Sequence, residues 1–142
     1  EWLIRHVTDV PNIAVTGLNP HCGDGGIFGQ EETDYIVPAL KTVQTEGSQA
    51  SGPFSADALF GRTDSLKYDA VVCMYHDQGM IPVKMDSVGQ GVNITLGLPI
   101  LRTSVGHGTA FEIAGRDKAC AKNLKMALRA SSQLSQSTLS MQ

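Results

Sequence analysis

At 142 residues, 42% hydrophobic and 18% charged, the chain has an ordinary globular composition and the length for one compact domain plus a tail. Its net charge of −3, with Lys and Arg scattered among Asp and Glu, forms no basic stripe for phosphates, and no apolar run approaches bilayer-spanning length; nucleic-acid and membrane partners are excluded on those grounds. Cys22, Cys73 and Cys120 are an odd set without CxxC spacing, which argues against a disulfide framework or a thiolate zinc site and for a reducing, cytoplasmic setting.

Residues 1–8 read as the last turns of a helix whose start lies elsewhere, with neither an initiator methionine nor a signal-peptide pattern ahead of them, so a piece of a longer protein is expected. Pro11 stops that segment, and Asn12-Ile13-Ala14-Val15-Thr16-Gly17 is a short apolar, β-branched run that predicts a buried strand. The polar, glycine-rich stretch 18–26 follows, with Gly23, Gly25 and Gly26 permitting positive φ and close backbone approach. Loops of this kind after strands carry function, although a flexible connection would read the same way.

Residues 29–46 place Ile36, Val37, Leu40 and Val43 at helical spacing, with Glu31, Glu32 and Asp34 in the first turns where the helix dipole favours them. Pro38 should kink that helix and Gly47 should cap it. Residues 51–60 begin extended and end in a helical turn; Asp57 there is either a site carboxylate or an ordinary first-turn residue. Residues 69–75 predict a second buried strand, which delivers Tyr75-His76-Asp77-Gln78-Gly79 to its carboxyl end, where open α/β sheets put their ligand sites. A short turn is expected between Gly79 and Lys84, a glycine-rich turn over 88–91, and two extended runs, 92–96 and 100–104, separated by Gly97-Leu98-Pro99. A small-residue loop follows at 106–110. A helix is expected from Lys118 to about Ser132, burying Ala121, Leu124, Ala127 and Leu128, ahead of a fraying tail over 133–142.

His21, His76 and His107 lie in glycine-flanked loops after extended runs. Each alone reads as a structural histidine, but their equivalent placement points to a shared site, in which neutral imidazoles bind a metal and a nearby carboxylate orients them. Lys84 and Arg102 are either surface charges or the cationic side of an anion site, with Asn93 fixing orientation. Arg102 sits in an otherwise apolar, small-residue segment, where an unpaired charge would be costly. Residues 106–115 offer backbone amides to a nucleotide, but a GxGxxG fingerprint after a strand is missing.

Gly17-Leu18-Asn19-Pro20-His21, Tyr75-His76-Asp77-Gln78-Gly79, the run from Gly91 to Pro99, Arg102-Thr103-Ser104-Val105 and His107-Gly108-Thr109-Ala110 strongly resemble the 4-hydroxythreonine-4-phosphate dehydrogenase family of pyridoxal phosphate biosynthesis. The resemblance covers about residues 12–128 and corresponds to the carboxyl-terminal portion of those enzymes. It implies an α/β fold of the isocitrate and isopropylmalate dehydrogenase kind, with 1–132 supplying the substrate, metal and dimerisation region plus part of the cofactor region, and 133–142 a flexible tail. It further implies a homodimer with shared sites, and NAD- or NADP-dependent oxidation followed by decarboxylation of a small phosphorylated hydroxy acid. His21 and His76 match metal-binding histidines for a divalent ion such as zinc, magnesium, manganese or cobalt, a third lying outside this chain. Lys84, Asn93 and Arg102 match substrate-binding positions, and Asp57 and Asp77 match acidic residues for metal support or base catalysis. His107, Gly108, Thr109 and Ala110 match a nucleotide-binding loop of non-Rossmann type.

Gly106 and Ile27-Phe28 depart from the family pattern, which has aspartate and a histidine-methionine pair there. Similar departures occur in dehydrogenases for D-threonate or D-erythronate 4-phosphate and for a terephthalate dihydrodiol. A reading of a different class is a non-catalytic, metal-binding or dimerising fragment.

Overall fold

The computed structural model describes residues 2–61, 63–87 and 90–139. The chain divides into two compact units, Glu1–Pro82 and Val83–Gln142.

The first unit is built on three parallel strands in the order β2-β1-β3: β1 (Asn12–Thr16), β2 (Gln49–Phe54) and β3 (Ala70–Val72). Helix α1 (Trp2–His6) precedes β1. Parallel strands need crossovers, and α2 (Val37–Thr45) supplies the one between β1 and β2, its Leu40 packing with Val15 and Ala50 into a small core flanked by Ile13, Ile36, Val43 and Met74. The kink expected at Pro38 takes a specific form: one wide π turn, Glu32–Ile36, immediately precedes α2. A proline lacks the N–H and crowds the carbonyl four residues back, and a π turn relieves both. Gly47, at φ 93°, closes α2, with its N–H donating to Gln44 O and that of Ser48 to Val43 O.

After β2 comes α3 (Ala56–Gly61) and then β3, which is shorter and more open than the buried strand read from 69–75. Val72 is exposed, so the strand is not buried along its length, and among the described residues β3 pairs only with β1. The turn expected between Gly79 and Lys84 is instead part of α4 (His76–Ser87), a helix with Pro82 inside it. Gly79 and Pro82 are poor helix formers, so local propensity did not announce this element. The glycine-rich turn of 88–91 falls partly on Val88 and Gly89, outside the described residues.

The second unit pairs β4 (Val92–Thr95) antiparallel with β5 (Arg102–Val105), Val92 opposite Val105 and Thr95 opposite Arg102. The intervening Gly97-Leu98-Pro99 breaks the extended run into a hairpin, as expected. Helix α5 (Lys122–Leu139) packs on the hairpin, and the Thr103 hydroxyl donates to Ala127 O at 3.1 Å. This helix continues past the end expected at Ser132. Its apolar face is also not buried as read: Ala127 is 3% exposed, but Leu124 is 55% and Leu128 62% exposed, and Ala121 precedes the helix. A two-stranded hairpin is too narrow to cover the whole stripe of an amphipathic helix.

Candidate functional site at the carboxyl end of the parallel sheet

The loop after β1 carries His21 in an unusual backbone. Residues His21, Cys22, Gly23, Asp24 and Gly25 all have left-handed φ, from 44° to 82°. Each non-glycine residue in that region costs about 1–2 kcal/mol, so the loop must be held from outside. The holding group is Glu32, a carboxylate only 4% exposed. Its Oε1 accepts from Leu18 N–H and Asn19 N–H, each at 2.7 Å, and its Oε2 from Asn19 Nδ2 at 3.0 Å. Glu31 Oε2 takes the same Asn19 amide at 2.7 Å. Burial alone would raise the Glu32 pKa, but the hydrogen bonds from Asn19, Leu18 and its own backbone favour the charged form and hold it below its ordinary value. Glycine suits both positions beside this carboxylate: a Cβ at Gly23 would lie 2.6 Å from Gly29 O, and one at Gly17 2.9 Å from Cys22 Sγ, each also 3.0 Å from a Glu32 oxygen.

The turn after β3 carries His76 at the start of α4, on the strand adjacent and parallel to β1. Both histidines therefore leave the same end of the sheet. Asp77 Oδ1 lies 2.7 Å from His76 Nδ1, a pairing that leaves Nε2 as the ring's outward donor atom. Below them, fully buried Thr16 donates to Gln78 Oε1 at 2.7 Å, Met74 N–H donates to the same oxygen at 2.9 Å, and Gln78 Nε2 donates to Gly17 O at 2.7 Å.

Asp57 sits at the first turn of α3, beyond the end of β2. Ser55 donates to it at 2.5 Å; that bond first, then the Ala58 N–H, with a smaller contribution from the nearby His21, lowers its pKa. The sheet thus brings His21 and Asp57 into electrostatic range. Cys22 lies in the same corner, its thiol donating to Pro53 O at 3.5 Å. Burial, then the Glu32 charge, pushes this thiol up, so it stays protonated and is a poor nucleophile.

Lys84, Asn93 and Arg102 belong to the second unit and are exposed. The desolvation cost expected for Arg102 does not arise: its Nη1 donates to Thr95 Oγ1 across the hairpin at 2.8 Å. His107, Gly108, Thr109 and Ala110 line an open cleft of about 950 Å³ in the same unit. Glu112, Asp117, Lys118 and Lys122 also line it, and Ala110 is held at φ 50°.

In donor type, two imidazoles with Asp57 and Asp77 nearby suit a divalent transition ion. Among the described residues no three His, Cys, Asp or Glu side chains are grouped to hold one. His21 and His76, leaving the same end of the sheet, have the donor chemistry for two ligands of such an ion but do not form a complete ligand set with the other described residues.

Sequence reasoning passed over Thr16 and Glu32 as working parts of this site, and placed Gln78 at the site end of its strand without giving it a role. Thr16 had a readable signal, a polar residue closing an apolar strand. Glu32 had none, because beside Glu31 and Asp34 it looked like one more solvated first-turn acid.

A parallel α/β unit that sends a strained glycine-rich loop and a histidine-bearing turn off the carboxyl ends of adjacent strands is a ligand-binding α/β fold. The family model for pyridoxal phosphate biosynthetic protein PdxA matches residues 3–131, and the chain belongs to that family. It is 55% identical over 126 residues to the 4-hydroxythreonine-4-phosphate dehydrogenase of Trichlorobacter lovleyi, a match covering 87% of this chain and 38% of that relative. The crystal structure of 4-hydroxythreonine-4-phosphate dehydrogenase from Klebsiella pneumoniae is similar at a TM-score of 0.78 and 43% identity, over 92% of this chain and 39% of that one. A terephthalate 1,2-cis-dihydrodiol dehydrogenase from Burkholderia xenovorans is similar at 0.67 and 35%, over 92% and 41%. The chain spans well under half the length of the relatives it matches.

Proposed function

We propose that this chain is part of an NAD- or NADP-dependent, divalent-metal-dependent dehydrogenase that oxidises and decarboxylates 4-phosphohydroxy-L-threonine. It would work as a homodimer in the cytoplasm, with the fold of the isocitrate dehydrogenase kind. The observation that carries the reading is the 55% identity over 126 residues to a relative of that name. His21 and His76 would hold the metal, with a further ligand from outside these residues. When bound, the metal would supply Lewis acidity to the substrate's oxygens and the nicotinamide would serve as hydride acceptor.

The chain's own residues bind, orient and move protons. Arg102 and Lys84 bind the substrate's anionic groups, the arginine in a bidentate fork and the lysine as a point charge, and Asn93 fixes the substrate's orientation. Asp77 orients the His76 ring through Nδ1. Asp57, at the first turn of α3 and in electrostatic range of His21, supports the metal or takes the hydroxyl proton. The His107–Ala110 loop and its cleft receive the nucleotide.

The test is NAD(P)H formation in a chimaera in which this chain replaces the matching segment of the Trichlorobacter lovleyi relative. Turnover of 4-phosphohydroxy-L-threonine supports the reading, and none on it, on D-threonate or D-erythronate 4-phosphate, or on the dihydrodiol leaves a non-catalytic fragment. The likeness to the terephthalate dihydrodiol dehydrogenase, together with Gly106 and Ile27-Phe28, favours a second reading, in which the dihydrodiol or a D-threonate or D-erythronate phosphate is turned over in preference.

A further inference from the structure

We propose that Gln78 is a positioning residue whose carboxamide clasps the His21 loop to the His76 turn and so fixes the separation of the two histidines. The proposal rests on their reading as metal ligands. Gln78 is in the first turn of α4, two residues after His76, yet its side chain reaches back to the end of β1. One bond, from Nε2 to Gly17 O, fastens the root of the His21 loop. The other two, Thr16 Oγ1–H and Met74 N–H into Oε1, fasten β1 to the turn that leads into His76. A carbonyl only accepts and a backbone N–H only donates, so Gly17 and Met74 together permit one orientation of the amide. Both lone pairs of Oε1 are occupied. Glu32 grips the loop through Leu18 and Asn19, whereas Gln78 bridges it to the histidine-bearing turn. No apolar side chain of equal length could make that bridge directional.

Co2+ titration of the 142-residue chain, followed by visible absorption, tests this together with amide exchange by NMR on the metal-free chain. Gln78→Met keeps the side chain's length and removes all three bonds. Co2+ binding is expected to weaken about 10–100-fold, the usual cost of losing a group that orients a metal ligand. The amides of Met74, Leu18 and Asn19 are all expected to exchange faster, with that of Ala50 in β2 unchanged. Thr16→Val, at nearly constant volume, removes the Thr16 bond into Oε1 together with Thr16's own contacts to Met74 N–H at 3.2 Å and Val72 O at 3.4 Å; it keeps the Nε2–Gly17 bond and gives the same pattern at smaller size, which serves if Gln78→Met does not fold. Unchanged Co2+ affinity in a variant whose Met74 amide alone speeds up overturns the proposal. If the parent chain binds no Co2+, or binds it equally after His21→Ala and His76→Ala, the ligand reading fails. Exchange still decides the clasp in that case, and unaccelerated Leu18 and Asn19 amides in Gln78→Met overturn it.

Discussion

In the first unit the backbone around His21 and His76 is gripped by side chains that are themselves buried, Thr16 and Glu32. In the second unit Lys84, Asn93 and Arg102 stand exposed, and Arg102 donates to a neutral hydroxyl, that of Thr95. A buried carboxylate or hydroxyl has few alternatives once water is gone, so it fixes geometry before any ligand arrives. Exposed cations such as Lys84 on α4 and Arg102 on the hairpin keep water as an alternative partner, so the fold leaves their geometry adjustable. The contrast matches the roles proposed for the two groups: metal ligands need fixed spacing, whereas a substrate's anionic end tolerates adjustment.

The contrast breaks most severely at Gly23. A Cβ there would lie 2.6 Å from Gly29 O at a φ of 82°, so Gly23→Ala is expected to cost about 3 kcal/mol, read from urea unfolding. Glu32→Ala comes next: it leaves the Leu18 and Asn19 amides without their acceptor, at a cost of about 2 kcal/mol. Glu32→Gln retains an acceptor oxygen and costs less. This carboxylate also sets an acid dependence. Its folded pKa lies below the ordinary 4.5, so the unfolded chain holds the proton more tightly, and the stabilisation is full above 4.5 and lost as pH falls through the folded value. Urea midpoints measured from pH 6 down to pH 3 should show that loss, and Glu32→Gln should reduce it. Glu31 and Asp57, also lowered, contribute the residual slope, weakened by solvent screening.

Changes in the second unit should separate binding from stability. Arg102→Lys is expected to leave unfolding within about 0.5 kcal/mol of the parent. In the chimaera it should raise KM for the phosphorylated substrate about tenfold, the worth of one charged hydrogen bond. A large stability loss with unchanged KM would remove the contrast between the units. Leu128→Ser should do least: with the side chain 62% exposed, thermal unfolding should shift by less than about 0.5 kcal/mol in ΔG.

Strong local signals were legible in the sequence. The apolar run at 12–17, the helical spacing of Ile36, Leu40 and Val43, and the proline-split pair of extended runs all correspond to observed elements. Helix α4 was hidden because Gly79 and Pro82 lower its propensity; its first turn is tied to the end of β1 through Gln78, a contact no local window contains. The burial of Glu32 was hidden for the same reason. Its partners, Leu18 and Asn19, open the loop that follows β1, 14 and 13 residues away, and only folding the chain back on itself turns a first-turn acid into an anchor. Conversely, Leu124 and Leu128 have the right period to be buried, but periodicity reports which face is apolar and not whether anything covers it.

The most direct test of the central claim is NAD(P)H formation from 4-phosphohydroxy-L-threonine by the chimaera, compared with its His21→Ala and His76→Ala variants and with chelator-treated protein. Turnover that needs a divalent ion and falls by about three orders of magnitude or more in each variant is the expected result. Turnover that survives either substitution, or that is indifferent to chelation, would contradict the assignment of these two histidines.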